Sequence, residues 1–111
     1  MNTMTIKGYQ AVIAFDPDIQ MFRGEFVGLN GGADFYAADV AGLKQEGAAS
    51  LRVFLEACAR RGIEPRKQFS GKFSLRVDPA THEAAAIAAA AHGQSLNQWV
   101  TEAIRQAALA D

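Results

Sequence analysis

A single cysteine, Cys58, is all the thiol this chain of 111 residues carries. That excludes an internal disulfide and a cysteine-based zinc site, and it fits a reducing compartment. Neither sign of charge is in excess, because 11 basic residues stand against 12 acidic ones for a net charge of -1. A polybasic protein that coats nucleic acid by charge alone is therefore excluded. Long hydrophobic runs are also missing. The longest nearly apolar stretch, Ala84 to Ala91, is eight residues of mostly alanine, too short to span a bilayer. The first residues lack the basic-then-apolar order of a secretory signal, so a soluble, cytoplasmic protein without a membrane partner is expected. What is present is a globular composition, 50% hydrophobic and 21% charged. A chain of this length makes one domain or two very small ones. Two such domains would each bury only a thin core, so oligomerisation is expected.

A boundary is visible where Gly62, Pro65 and Gly71 gather within ten residues. The expected division is residues 1–64, a linker at 65–71, and a second domain at 72–111. In the first part, Lys7 to Phe15 alternates and places Tyr9, Ala11, Ile13 and Phe15 on one face. Asp16-Pro17-Asp18 supplies a turn. A second strand, Met21 to Val27, puts Phe22, Gly24 and Phe26 opposite Arg23 and Glu25, and a third runs from Ala33 to Tyr36. Asp39 caps a helix to about Arg61, along which Val40, Leu43, Leu51, Phe54, Leu55 and Cys58 recur at spacings of three and four. Gly42 and Gly47 weaken that helix by about 1 kcal/mol each relative to alanine, so packing on the sheet must hold it. The expected layer is β-β-β-α.

The second part carries more. From Lys72 to Val77 the alternation is strict, with Phe73, Leu75 and Val77 on one face and Lys72, Ser74 and Arg76 on the other. Asp78-Pro79 then starts a helix, capped by the aspartate with proline at the first helical position, that Gly93 stops. Ser95 and Gln98 form a capping box for a second helix with Leu96, Trp99, Val100, Ala103, Ile104 and Ala107 on its buried stripe. A lone strand cannot satisfy its own backbone, and forty residues of strand-helix-helix cannot close a core. Two copies can, if their strands pair antiparallel above four helices. Phe73, Leu75, Val77 and Trp99 would form the dimer core. Such a ribbon fits the DNA major groove, where Lys72, Ser74 and Arg76 are side chains that read base edges. Backbone N–H groups at the helix start by Ser95 and Asn97 suit a phosphate.

The run Ser70-Gly71-Lys72-Phe73-Ser74-Leu75-Arg76-Val77-Asp78-Pro79 with His82, and Gly93-Gln94-Ser95-Leu96-Asn97-Gln98-Trp99, resembles the ribbon-helix-helix segment of the HicB antitoxin family. Upstream, Gly8 to Ile13, Phe22 to Glu25, Gly28-Leu29, and Phe54 to Cys58 with Arg61-Gly62 and Pro65 are similar to that family's N-terminal domain. The resemblance covers roughly residues 6–109. It implies an α+β chain with a partial RNase H-like N-terminal domain and a dimeric ribbon-helix-helix domain behind it. It also implies an antitoxin that neutralises an mRNA-cleaving, HicA-like toxin protein and represses its own operon by binding operator DNA, as a homodimer or a higher oligomer. No enzyme activity and no cofactor follow from it. Thr81 and Ala85 depart from the family, which usually carries larger apolar residues there.

Other readings stand beside this one. Lys72, Ser74 and Arg76 also suit an ordinary solvated strand face. Asp16, Asp18, Asp34 and Asp39 suggest a metal nuclease by their fold context, yet turn formation and helix capping already account for three of the four. His82 and His92 stand ten residues apart with no carboxylate or cysteine at ligand spacing. Cys58 lies on the apolar stripe and reads as core. An orphan ribbon-helix-helix regulator without a toxin is the alternative function, and an RNase H-like nuclease the third.

Overall fold

The computed structural model describes residues 2–110 and divides into two compact units, Met1–Ser70 and Gly71–Asp111. It is mixed α+β. The first unit holds β1 (Thr3–Ile6), β2 (Tyr9–Asp16), β3 (Met21–Phe26) and β4 (Asp34–Ala37), then helix α1 (Val40–Arg61). The strands form an antiparallel meander in the order β1-β2-β3-β4.

Four strands replace the expected three. Lys7 and Gly8, read as the start of one strand, are the two central residues of a hairpin turn, with φ of 50° and 83°. Two positive φ values in a two-residue loop match the twist of the flanking strands. Lysine is an unusual residue for that conformation, which is why the alternation alone ran through it. The extra strand matters to the core. Its Ile6 lies beside Tyr9 across the ladder and is buried with Ala11, Phe26, Leu29, Phe35, Ala37, Leu43 and Leu51.

Helix α1 begins at the Asp39 cap, whose carboxylate accepts from the Gly42 N–H at 2.7 Å. It ends at Gly62, where the Ile63 N–H reaches the Cys58 carbonyl. Leu43, Gly47, Leu51 and Cys58 form its buried stripe. Val40 is a correction to the expected stripe. It stands in the first turn, 59% exposed. Gly47 gains a reason beyond tolerance, because a Cβ there would sit 2.3 Å from Ile6 Cδ1 and 3.1 Å from the Phe35 ring. The missing side chain lets α1 lie directly on the sheet. The sheet's other face, not covered by α1, mixes polar side chains with Val12, Ala14 and Met21. On it Arg23 pairs with Glu25 at 2.9 Å and Asp34 at 3.2 Å, and the hydrogen bonds it donates to Asp34, Tyr36 and Glu25 push the guanidinium pKa still higher.

Gly24 is the tightest point of this core. A Cβ there would fall 2.2 Å from Cζ and 2.4 Å from Cε2 of Phe35, a ring that is itself buried. Gly24→Ala is therefore expected to cost about 2–3 kcal/mol by overpacking. Thermal unfolding of the first unit should shift down by roughly 10 °C or more. An unchanged midpoint would mean that the Phe35 ring has room to withdraw.

The second unit contains α2 (Pro79–Ala91) and α3 (Leu96–Leu109). Asp78 caps α2 through the N–H and hydroxyl of Thr81, and those two bonds hold its carboxyl below the usual aspartate range. The cap is therefore complete above the ordinary aspartate pKa and is lost as pH falls through the lowered value. Ser95 and Gln98 close the capping box on α3, with both reciprocal bonds formed. Between the helices, the Gly93 N–H bonds the Ala90 carbonyl and the Gln94 N–H the Ala89 carbonyl.

Candidate functional site

The alanines of α2 carry almost no side-chain volume, and Ala89, at 2% exposure, is the one buried residue of the second unit among those described. In α3 no residue is buried. This corrects the reading of Leu96, Trp99, Val100, Ala103, Ile104 and Ala107 as a buried stripe. Within one chain the stripe lines an open groove of about 840 Å³ together with Leu75, Val77 and Ala85. Trp99 and Val100 are half-buried, and Ile104 is exposed. A two-helix unit of about forty residues with one buried alanine has no core of its own.

The segment Lys72–Val77 belongs to the same surface. Among the described residues it forms no ladder with another strand, so the expected strand is absent from a single chain. A β-ladder needs a neighbour, and the other four strands pair only among themselves. Phe73 is 71% exposed, Leu75 62% and Val77 44%. Leu75 and Val77 line the groove with Trp99, whereas Phe73 stands outside it. Of the residues assigned to DNA, Arg76 and Asn97 lie at the rim of this groove. Lys72 and Ser74 are exposed along the segment, and Ser95 caps α3. Asn97 also lines a second, polar groove with Gln94, Gln98, Thr101 and Arg105. The structure thus gathers the apolar set, Leu75, Val77 and Trp99, around one groove, and it leaves Lys72 and Ser74 away from it.

The carboxylates weighed for a nuclease are spread over local roles. The Asp16 carboxylate accepts from the Asp18 N–H at 3.0 Å and closes the turn after β2. Asp34 is held by Arg23, and Asp39 caps α1. Among the described residues no three histidine, cysteine, aspartate or glutamate side chains gather where they could hold a metal ion. His92 Nδ1 lies 2.8 Å from the Ala88 carbonyl oxygen, a helix-end contact. Cys58 is buried on α1. No helix of the described residues is long and apolar enough to cross a membrane.

Sequence reasoning misses the strand Thr3–Ile6 and also the docking of residues 64–67, most of which fall in the expected linker. The Lys67 N–H bonds the Gly28 carbonyl, and the Asn30 N–H bonds the Pro65 carbonyl, each at 2.9 Å. Arg66 lies over Tyr9. The signal available was Gly28-Leu29-Asn30, a loop with an apolar residue at its centre, since Leu29 is buried in the core.

No curated protein and no solved structure matches the chain. Residues 54–104, from the middle of α1 to the middle of α3 and somewhat under half of the chain, match the model of the HicB family.

Proposed function

We propose that this protein is a HicB-type antitoxin. Its second unit dimerises and binds operator DNA, and its first unit holds a HicA-like toxin. The observation that carries the reading is the open apolar groove between Lys72–Val77 and α3, in a unit whose described residues include a single buried one, Ala89. The family match adds weight, because it runs across that whole unit up to Ile104. A second copy covers the groove and supplies the missing ladder at once, since pairing Lys72–Val77 antiparallel with itself turns Phe73, Leu75 and Val77 of both chains toward the four helices. Lys72, Ser74 and Arg76 then form the outer face of a two-stranded ribbon, a shape that enters the major groove. The first unit remains for a protein partner. Of its two outer strands, β4 has its Asp34 carbonyl taken by the Ser50 hydroxyl. β1, Thr3–Ile6, carries no charge and leaves an edge suited to pairing.

The test is a mass measurement with a binding titration. Light scattering of the full chain should give twice the chain mass or a multiple of it. The DNA directly upstream of the chain's own coding sequence should bind more tightly than a scrambled duplex. A monomer at all concentrations, or equal affinity for both duplexes, overturns the proposal.

The charge of this unit sets a further expectation. It carries Lys72, Arg76 and Arg105 against Asp78, Glu83, Glu102 and Asp111. A dimer brings two copies of Lys72 to the phosphates and two of Arg76 to the base edges, so log K against log salt should fall with a shallow slope, between about -2 and -4. Binding by one dimer should be weak, and adjacent half-sites should strengthen it. A slope near -9 would reveal a basic surface elsewhere, with Arg66 and Lys67 the first to substitute.

A further inference from the structure

The chain leaving α1 is not free. Beyond Gly62, the segment Ile63–Lys67 turns back along the loop after β3 and is fixed there at both ends. The Asn30 side chain donates to the Glu64 carbonyl at 3.0 Å. The Asn30 and Lys67 amides each donate across the gap, at 2.9 Å, and Arg66 bridges to Leu29 in antiparallel register. Arg66 then spans to the β1–β2 hairpin. Its guanidinium carbon lies 3.8 Å from the Tyr9 ring centroid, and Nη2 donates to the Gly8 carbonyl at 3.1 Å. That carbonyl belongs to a two-residue turn, so one side chain joins sequence positions 58 residues apart. We infer that Ile63–Lys67 is a releasable clasp, closed by Arg66 on the Gly8–Tyr9 turn, that sets the length of the tether to the second unit.

The side-chain hydrogen bonds of the clasp join exposed groups, where single hydrogen bonds and cation–π contacts are weak, and its two anchors in the core, Leu29 and Tyr9, belong to the surface it docks on. None of its members is part of the α1 stripe that holds helix to sheet, so the clasp opens without unfolding the unit, as a low-stability local segment. Opening it frees residues 63–67 and adds about 17 Å of reach to the chain that leaves the first unit. A partner that engages the Tyr9 ring or the Gly8 carbonyl displaces Arg66 and lengthens the tether. The second unit then moves more independently, whatever it binds.

Hydrogen exchange and ¹⁵N relaxation on the full chain test this in the wild type, Arg66→Ala and Tyr9→Leu. The Asn30 and Lys67 amides should be protected in the wild type. Both variants should exchange them at least about tenfold faster, with the Leu51 amide unchanged, and should shorten the correlation time of the second unit. Arg66→Lys should fall between, because it keeps the charge and loses the planar stack. Wild-type amides exchanging at coil rates overturn the clasp, as do amides equally protected in all three proteins. Loss of Leu51 protection in both variants also overturns it, by making Arg66 a part of the core structure. Faster exchange with an unchanged correlation time overturns the link to tether length.

Discussion

Leu75→Asp should leave a chain that runs at the monomer mass. In the proposed dimer each aspartate enters the apolar groove beside Val77 and Trp99, with the neighbouring Arg76 on the outer face of the ribbon. A buried unpaired charge costs several kcal/mol at each of the two symmetric positions. Even about 3 kcal/mol per copy raises the dissociation constant by roughly four orders of magnitude. The second unit should lose helix along with its partner, because Ala89 alone is no core, and far-UV circular dichroism should then fall on dilution. The first unit should keep its own thermal transition. Ile87→Asp is the matched control. Ile87 is 62% exposed, the same as Leu75, but it lies on the face of α2 that does not line the groove. A charge there should leave the dimer intact. If Ile87→Asp dissociates the dimer and Leu75→Asp does not, the second copy covers α2's outer face instead.

Much of the fold was legible because it is written in short-range chemistry. Asp39, Asp78 and Ser95 each offer an oxygen to a helix N-terminus, and Gly62 and Gly93 each adopt a positive φ at a helix end. Those choices depend on three or four neighbouring residues, so the helix limits follow from local sequence. What failed depended on distant chain. The Lys7–Gly8 turn is visible only through the pairing of Ile6 with Tyr9, and the lysine at a positive φ argued against it. Val40 has the periodicity of the stripe, but in the first turn of α1 its side chain is left exposed. Gly47 looked like a weakness of the helix until Ile6 and Phe35 were placed against it. The candidate site divides the same way. Alternation identified which side of Lys72–Val77 is apolar, and that side does line the groove at Leu75 and Val77. The stripe on α3 was read as buried because periodicity reports which residues share a face. It is silent on whether that face is covered by the same chain or by another.

Arg76→Ala should abolish discrimination of the operator while sparing the dimer. Arg76 lies between the groove residues Leu75 and Val77, is exposed, and has the longest side chain on the polar face of the segment. Its planar fork can bond O6 and N7 of one guanine together, a contact worth about 1–3 kcal/mol of discrimination against a wrong base. A two-stranded ribbon presents it twice. Operator affinity should therefore fall by roughly ten- to a hundredfold or more, and the ratio between upstream and scrambled duplex should approach one. Lys72→Ala separates reading from attraction. A lysine on phosphate loses affinity for both duplexes alike and lowers the salt slope by about one per contact, so its ratio should stay near the wild-type value. Light scattering should give the dimer mass for both variants, since neither residue contributes an apolar side chain to the groove. Binding of the protein partner should be unchanged in both, because the proposal assigns that task to the first unit, which contains neither residue. A wild-type ratio in Arg76→Ala, with the dimer intact, would reduce the polar face to a solvated surface and move the reading of DNA elsewhere. Asn97, at the rim of both grooves of the second unit, would be the next residue to substitute.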